Sequence, residues 1–200
     1  MGLEFSDPYA PLPAGLPVPV DDGACRHLVG VRLPAITLQS SNNSAIDLSQ
    51  IAFRERTVLF LFPAAGRPGV PDPTGWSLIP GARGCTPQLC DYRDATSEFQ
   101  MLGIRLFGVS SQRHEDLVEI AQRNRLQYEL LSDEELQLTK ALRLPTFNVQ
   151  SPVGLVPPVC IRRLSLVVSK GRVEKVFYPV FPPDKNASKV LAYLKESRPV

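Results

Sequence analysis

Two hundred residues with 44% apolar side chains suffice for a single domain with a real core. A net charge of +2, with the arginines spread along the chain, excludes the strong basic field of a nucleic-acid binder. No apolar run approaches the ~20 residues of a membrane span, so no membrane partner is expected.

Residues 1–27 carry Pro8, Pro11, Pro13, Pro17 and Pro19 with little periodicity. Such a stretch stays extended and cannot build a core. It reads as an arm that wraps the domain or a partner subunit, followed by a domain over 28–200. The first residues lack a basic start and an apolar core, so a secretory signal is not expected. Met1-Gly2 with Ser6 fits a myristoylation pattern only loosely and is not taken as one. Four cysteines in a non-secreted chain point to a reducing compartment, the cytoplasm.

The body then alternates between two periods. Strands are predicted over 35–38, 58–62, 104–109, 164–169 and 173–178, and helices over 86–102, 112–124, 133–142 and 185–195. Asp133 before Glu134-Glu135 suits a helix start. Lys170-Gly171-Arg172 between two apolar runs reads as a hairpin turn. Strand–helix–strand units, a late hairpin and a closing helix give an α/β fold, a mixed central sheet flanked by helices. In such sheets ligands sit beyond the carboxyl ends of strands, beside helix N-termini.

Cys85 falls at such an end. It follows the apolar run Val58-Leu59-Phe60-Leu61-Phe62 and a long loop, in the turn Gly81-Ala82-Arg83-Gly84 that opens the helix predicted at 86. Helix N-termini and nearby cations favour the thiolate, the reactive form of cysteine. Pro87 suits the first turn, where its missing N–H costs little. Cys90 stands five residues on. In a regular helix the two side chains do not face each other, and a disulfide needs Cα atoms about 4.4–6.8 Å apart. A Cys85–Cys90 bond therefore requires the first turn to unwind. Cys25 and Cys160 read as buried, inert thiols. Cys25, His27, His114 and Cys160 lack the paired spacing of a zinc site, so no metal is expected. His114, Glu115 and Asp116 open a helix and suggest no hydrolase triad. Gly66-Arg67-Pro68-Gly69 lacks the ending of a phosphate-binding loop.

The stretch Gly84-Cys85-Thr86, Cys90 and Tyr92-Arg93-Asp94 resembles the active-site region of the peroxiredoxins, most closely the Q-type or bacterioferritin-comigratory branch. Arg163-Leu164-Ser165-Leu166-Val167-Val168 resembles that family's arginine-bearing strand, and Leu33-Pro34-Ala35-Ile36-Thr37-Leu38 its opening strand. The likeness covers roughly residues 30–196. It implies a thioredoxin-like fold and a thiol peroxidase acting on hydrogen peroxide or organic hydroperoxides. In that pattern Cys85 is the peroxidatic and Cys90 the resolving cysteine, with Arg163 stabilising thiolate and peroxide. Gly84, Thr86 and Pro63 would bind substrate. No cofactor is implied. The implied reductant is thioredoxin or a similar dithiol protein, and the assembly a monomer or homodimer.

Two positions depart from the family pattern. Ala82 stands where the family has threonine or serine, and Leu78 where it has proline. Thr74 or Ser77, folded back from the long loop at 63–80, would supply the hydroxyl, and Pro63 the proline. Gln88 occupies a position where many relatives have glutamate. Taken alone, Arg163 also reads as a surface residue or a partner for Asp94, and Arg162 competes with it, because a one-residue slip changes the face. Arg83 would hold the loop or meet solvent, Arg93 would pair with a carboxylate behind the pocket, and Trp76 and Phe62 would wall it. Two other classes share the cysteine pair: a thiol–disulfide oxidoreductase, although C-x-x-C spacing is absent, and a non-enzymatic redox sensor.

Overall fold

The computed structural model describes residues 7–150 and 153–197. The loose myristoylation pattern at Met1-Gly2 and Ser6 lies outside them. In chain order the elements are β1 (Thr37–Ser40), β2 (Ala45–Asp47), α1 (Leu48–Arg54), β3 (Thr57–Leu61), α2 (Cys85–Asp94), α3 (Thr96–Met101), β4 (Arg105–Ser110) and α4 (His114–Arg123). There follow β5 (Glu129–Ser132), α5 (Gln137–Leu142), β6 (Thr146–Asn148), β7 (Val159–Ile161), β8 (Leu164–Ser169), β9 (Arg172–Phe177) and α6 (Asn186–Glu196). Seven strands form one sheet in the order β2-β1-β5-β4-β3-β8-β9, and β6 and β7 pair as a separate small hairpin.

The sheet is mixed, as the resemblance implies. β3 runs parallel to β4 and β4 parallel to β5, whereas β8 is antiparallel to both β3 and β9. All five residues of β3 are buried, which is what a central strand covered on both faces requires. Alternation sends Val58, Phe60 and Phe62 into one apolar cluster with Tyr92, Phe99, Leu117 and Val190, contributed by α2, α3, α4 and α6. Leu59 and Leu61 point the other way, into a cluster with Leu48, Phe107, Leu138 and Leu166.

Several boundaries differ from the sequence reading. The helix expected over 86–102 is two helices, α2 and α3, separated at Ala95. Thr96 Oγ1 there donates back to the Tyr92 carbonyl at 2.9 Å, the local competition that makes threonine a poor mid-helix residue. The helix expected from 133 begins at Gln137, because Leu136 takes the left-handed conformation at φ 55°. Asp133 still serves that helix: its carboxylate accepts from the Leu138 and Thr139 amides at 2.9 and 2.8 Å. The first strand is shifted to Thr37–Ser40. The hairpin turn at Lys170-Gly171 is present between β8 and β9.

Candidate active site

β3 ends at Leu61, where it pairs with Leu164 at the start of β8. Because β8 is antiparallel, the residue just before it, Arg163, is carried to the carboxyl end of β3. From that same end the chain leaves through the loop at 63–84 and re-enters as α2. Cys85 and Arg163, far apart in sequence, thus meet at one edge of the sheet.

Gly84 makes the turn into α2 possible. It caps the helix at φ 93°, a conformation that L side chains rarely adopt. A Cβ there would stand 2.3 Å from Pro183 Cγ. Cys85 is therefore the first residue of the helix, where first-turn N–H groups have no carbonyl partner within the helix. Its sulfur is buried. Arg163 Nη2 donates to Cys85 Sγ at 3.1 Å and to the carbonyls of Gly81, Ala82 and Arg83 at 3.2, 3.3 and 3.1 Å. One guanidinium nitrogen thus touches the sulfur and ties down the turn that presents it.

The other end of that guanidinium is held from behind. Arg163 Nη1 donates to Gln88 Oε1. Gln88 Nε2 in turn donates to Asn186 Oδ1 at 2.9 Å, an atom that also accepts from Tyr92 Oη at 2.9 Å and Ser165 Oγ at 2.7 Å. All five residues are buried. Sequence reasoning missed Asn186 and Ser165. The signal available was a polar residue in each of two apolar segments, which does not reveal that the two meet.

A cleft of about 140 Å³ opens over Cys85, lined by Ala64, Trp76, Ala82, Gly84, Thr86 and Pro87 among others, and by residues of the N-terminal segment. Gly84 and Thr86, expected to bind substrate, both line this cleft. Thr86 Oγ1 is buried with no hydrogen-bond partner among the described residues. Pro63 is buried but does not line the cleft, and its carbonyl accepts from Ser110 Oγ at 3.0 Å. Neither hydroxyl proposed to replace the one missing at Ala82 does so. Thr74 is exposed, and Ser77 Oγ accepts from Arg83 Nε at 2.9 Å. Leu78 is 78% exposed.

The competing arginines separate by burial. Arg162 points outward and pairs with Asp22 at 3.3 Å, and Arg163 is buried at the sulfur rather than paired with Asp94. Arg83 pairs with Asp72 at 2.8 Å and holds the loop. Arg93 pairs with Asp94 at 2.8 Å. Trp76 lines the cleft, and Phe62 packs in the apolar cluster that contains Cys85.

All four thiols are free. Cys90 is half-buried on α2, and burial raises its pKa above the ordinary thiol value. Five residues along a helix advance about 7.5 Å and turn about 140°, so Cys90 stands on another face from Cys85. Burial pushes the Cys25 thiol up to about 12, with Asp22 and Asp21 adding to it. Burial and the neighbouring Cys85 charge do the same to Cys160, also to about 12. Among the described residues no group of three or more His, Cys, Asp or Glu side chains could hold a metal ion, and no helix is long and apolar enough to cross a membrane.

Comparison with known proteins agrees with this geometry. The family model described as Redoxin matches residues 28–194. A Mycobacterium tuberculosis protein named as a peroxiredoxin is 29% identical over 151 residues, covering 76% of this chain and 85% of its own. Peroxiredoxin Bcp of Escherichia coli is 26% identical over 163 residues, covering 82% of this chain and 92% of its own. The crystal structure of peroxidoxin BcpB from Mycobacterium tuberculosis superposes with a TM-score of 0.67 at 24% identity, over 86% of this chain and 98% of that one. That structural likeness bears on the fold, which is thioredoxin-like. A matched family model over most of the length, on a sheet that delivers a cysteine to a helix N-terminus, leaves one conclusion: the chain belongs to the Redoxin family, among relatives named as peroxiredoxins of the Bcp and Q kinds.

Proposed function

We propose that this chain is a thiol peroxidase in which Cys85 attacks the terminal oxygen of a hydroperoxide. The observation that carries the reading is the 3.1 Å contact of Arg163 Nη2 with Cys85 Sγ, at a helix N-terminus and at the base of a cleft. The cation favours negative charge on sulfur before attack. It also favours the charge that moves to the leaving oxygen as the O–O bond breaks. The Cys85 thiolate takes the terminal oxygen and becomes a sulfenic acid. The other oxygen departs as hydroxide or alkoxide and is protonated from water. Thr86, which lines the cleft and whose Oγ1 has no partner among the described residues, supplies the hydroxyl to hold a peroxide oxygen in place of the one missing at Ala82.

Cys90 completes the cycle. After the first turn of α2 unwinds, its thiolate displaces hydroxide from the sulfenic acid and forms the Cys85–Cys90 disulfide. A dithiol protein of the thioredoxin class then reduces it. No bound cofactor enters these steps. Four free thiols suit a reducing compartment such as the cytoplasm.

Stopped-flow oxidation of the reduced protein with one equivalent of hydrogen peroxide, read by Trp76 fluorescence, tests the reading. The expected result is oxidation far faster than free cysteine, ending in a Cys85–Cys90 disulfide by mass spectrometry. Oxidation at the free-cysteine rate would overturn the peroxidase and favour the redox sensor, the alternative to which the missing hydroxyl at Ala82 points.

A further inference from the structure

The family model begins at residue 28, yet the cleft over Cys85 is walled on one side by residues that precede it. Pro8, Pro11 and Leu12 line the cleft together with Val70, Trp76 and Pro87. Leu12 reaches the catalytic turn itself: a Cβ built on Gly84 would lie 3.0 Å from Leu12 Cδ2. The segment is fastened rather than merely adjacent. Tyr9 Oη accepts from Arg123 Nη1 at 3.0 Å, the same guanidinium lies 5.8 Å from the Tyr9 ring centroid, and its Nη2 donates to the Gly66 carbonyl at 2.8 Å. One α4 side chain thereby ties the arm to the loop on the cleft's other side. Further along, Asp22 accepts from Tyr178 Oη at 3.0 Å and pairs with Arg162. Of the charged residues that line the cleft, Asp72 pairs with Arg83 at 2.8 Å and Arg67 with Glu119 at 3.4 Å, and Asp7 is exposed.

From this geometry we propose that the N-terminal arm is part of the substrate site, an apolar wall that selects hydroperoxides carrying a compact alkyl group. The proposal rests on the thiol-peroxidase reading and names what that site prefers. By the same measure of volume one water needs about 10–15 Å³, so hydrogen peroxide, about two water-sized groups, leaves most of the cleft of about 140 Å³ unused. An alkyl substituent pointing away from Cys85 fills that space against Leu12, Pro11 and Trp76. The reaction is unchanged: sulfur takes the terminal oxygen, and the alkoxide leaves on the side the arm covers. Wall contact then adds to the rate with an alkyl hydroperoxide and contributes nothing with hydrogen peroxide.

The test uses full-length protein and compares single-turnover oxidation of Cys85 by tert-butyl hydroperoxide and by hydrogen peroxide. Leu12→Ala should lower the tert-butyl hydroperoxide rate constant by roughly four- to fifteenfold, the loss expected when one to two methylene equivalents of contact vanish. The ratio of the tert-butyl hydroperoxide to the hydrogen peroxide rate constant should fall with it. Tyr9→Ala, which frees the anchor without touching the cleft, should shift the ratio in the same direction. An equal change with both peroxides, no change with either, or faster reaction with tert-butyl hydroperoxide would overturn the selecting wall while leaving the peroxidase reading intact. Wild-type protein oxidised by neither peroxide faster than free cysteine would overturn both.

Discussion

Replacing Arg163 by methionine removes a cation in direct contact with the reactive sulfur. The two are 3.1 Å apart, and a full ion pair at that distance is worth about 5 kcal/mol at an effective dielectric near 20. Water and the first-turn amides of α2 recover part of that, so a net loss of about 3–4 kcal/mol in the transition state follows. This corresponds to a roughly 10²–10³-fold fall in the rate constant for oxidation by peroxide, the size of effect seen when one preorganised donor is removed. The fold should survive, at a cost of about 2–4 kcal/mol, because Gln88 Oε1 and three carbonyls lose a donor. Arg163→Lys should fall between: it keeps the charge but lacks the planar fork that spans Gln88 and the sulfur together. Stopped-flow Trp76 fluorescence measures the rate, and a denaturant melt measures the stability. Oxidation of Arg163→Met at the wild-type rate, in a folded protein, would refute the assignment of this arginine to the chemistry.

Four further outcomes follow from the same geometry. Cys90→Ser should still yield one sulfenic acid per chain, trapped by dimedone, but should not turn over with thioredoxin; normal cycling would move the resolver elsewhere. In the wild type, the disulfide-forming step should accelerate with pH through the ordinary thiol range and beyond it. Burial raises the Cys90 pKa, so its thiolate fraction is small at neutrality and grows as pH rises. A pH-independent step between pH 7 and 9 would contradict this. Gly84→Ala meets both a positive φ and a 2.3 Å approach to Pro183 Cγ, so a loss of roughly 2–4 kcal/mol in denaturant midpoint analysis is expected. In the native protein at pH 7.5, iodoacetamide should modify Cys85 and Cys90 but spare Cys25 and Cys160, whose buried thiols are pushed up to about 12; labelling of either under native conditions, mapped by mass spectrometry, would refute their inert role.

The central strands were legible because their chemistry is local. Val58 to Phe62 is a short, unbroken apolar run rich in β-branched and aromatic residues, the length and composition of a strand buried on both faces. β5, Glu129–Ser132, was not legible: it has two apolar residues between polar ones, and its identity comes from pairing with β4 and β1. α1 was legible in principle and went unread. Asp47 caps it, accepting from the Ser49 and Gln50 amides while Gln50 Nε2 returns to its carboxylate at 2.8 Å. The helix at 133 was read from the acidic residues at its start, and Asp133 serves that helix as a cap. The cap acts across five and six residues rather than three, a distance set by the left-handed turn at Leu136.

The site shows the same division on a smaller scale. Cys85 was found because a glycine turn, a following proline and an arginine are its neighbours in sequence, although Arg83 pairs with Asp72 to hold the loop. Arg163 needed the sheet: the antiparallel pairing of β8 with β3 makes it, rather than Arg162, the residue at the sulfur. The polar chain behind it needed α6 as well. Gln88 where relatives carry glutamate has a physical meaning only once its partners are seen. A carboxylate would oppose Arg163 but could not donate to Asn186 Oδ1, whereas the amide accepts from one and donates to the other. Asn186 Oδ1 is then shared by three donors from α2 and β8, which fixes the rotamer of Gln88 and, through it, the plane of the guanidinium. The cation reaches the sulfur because an uncharged, fully buried relay holds it there without competing for its charge.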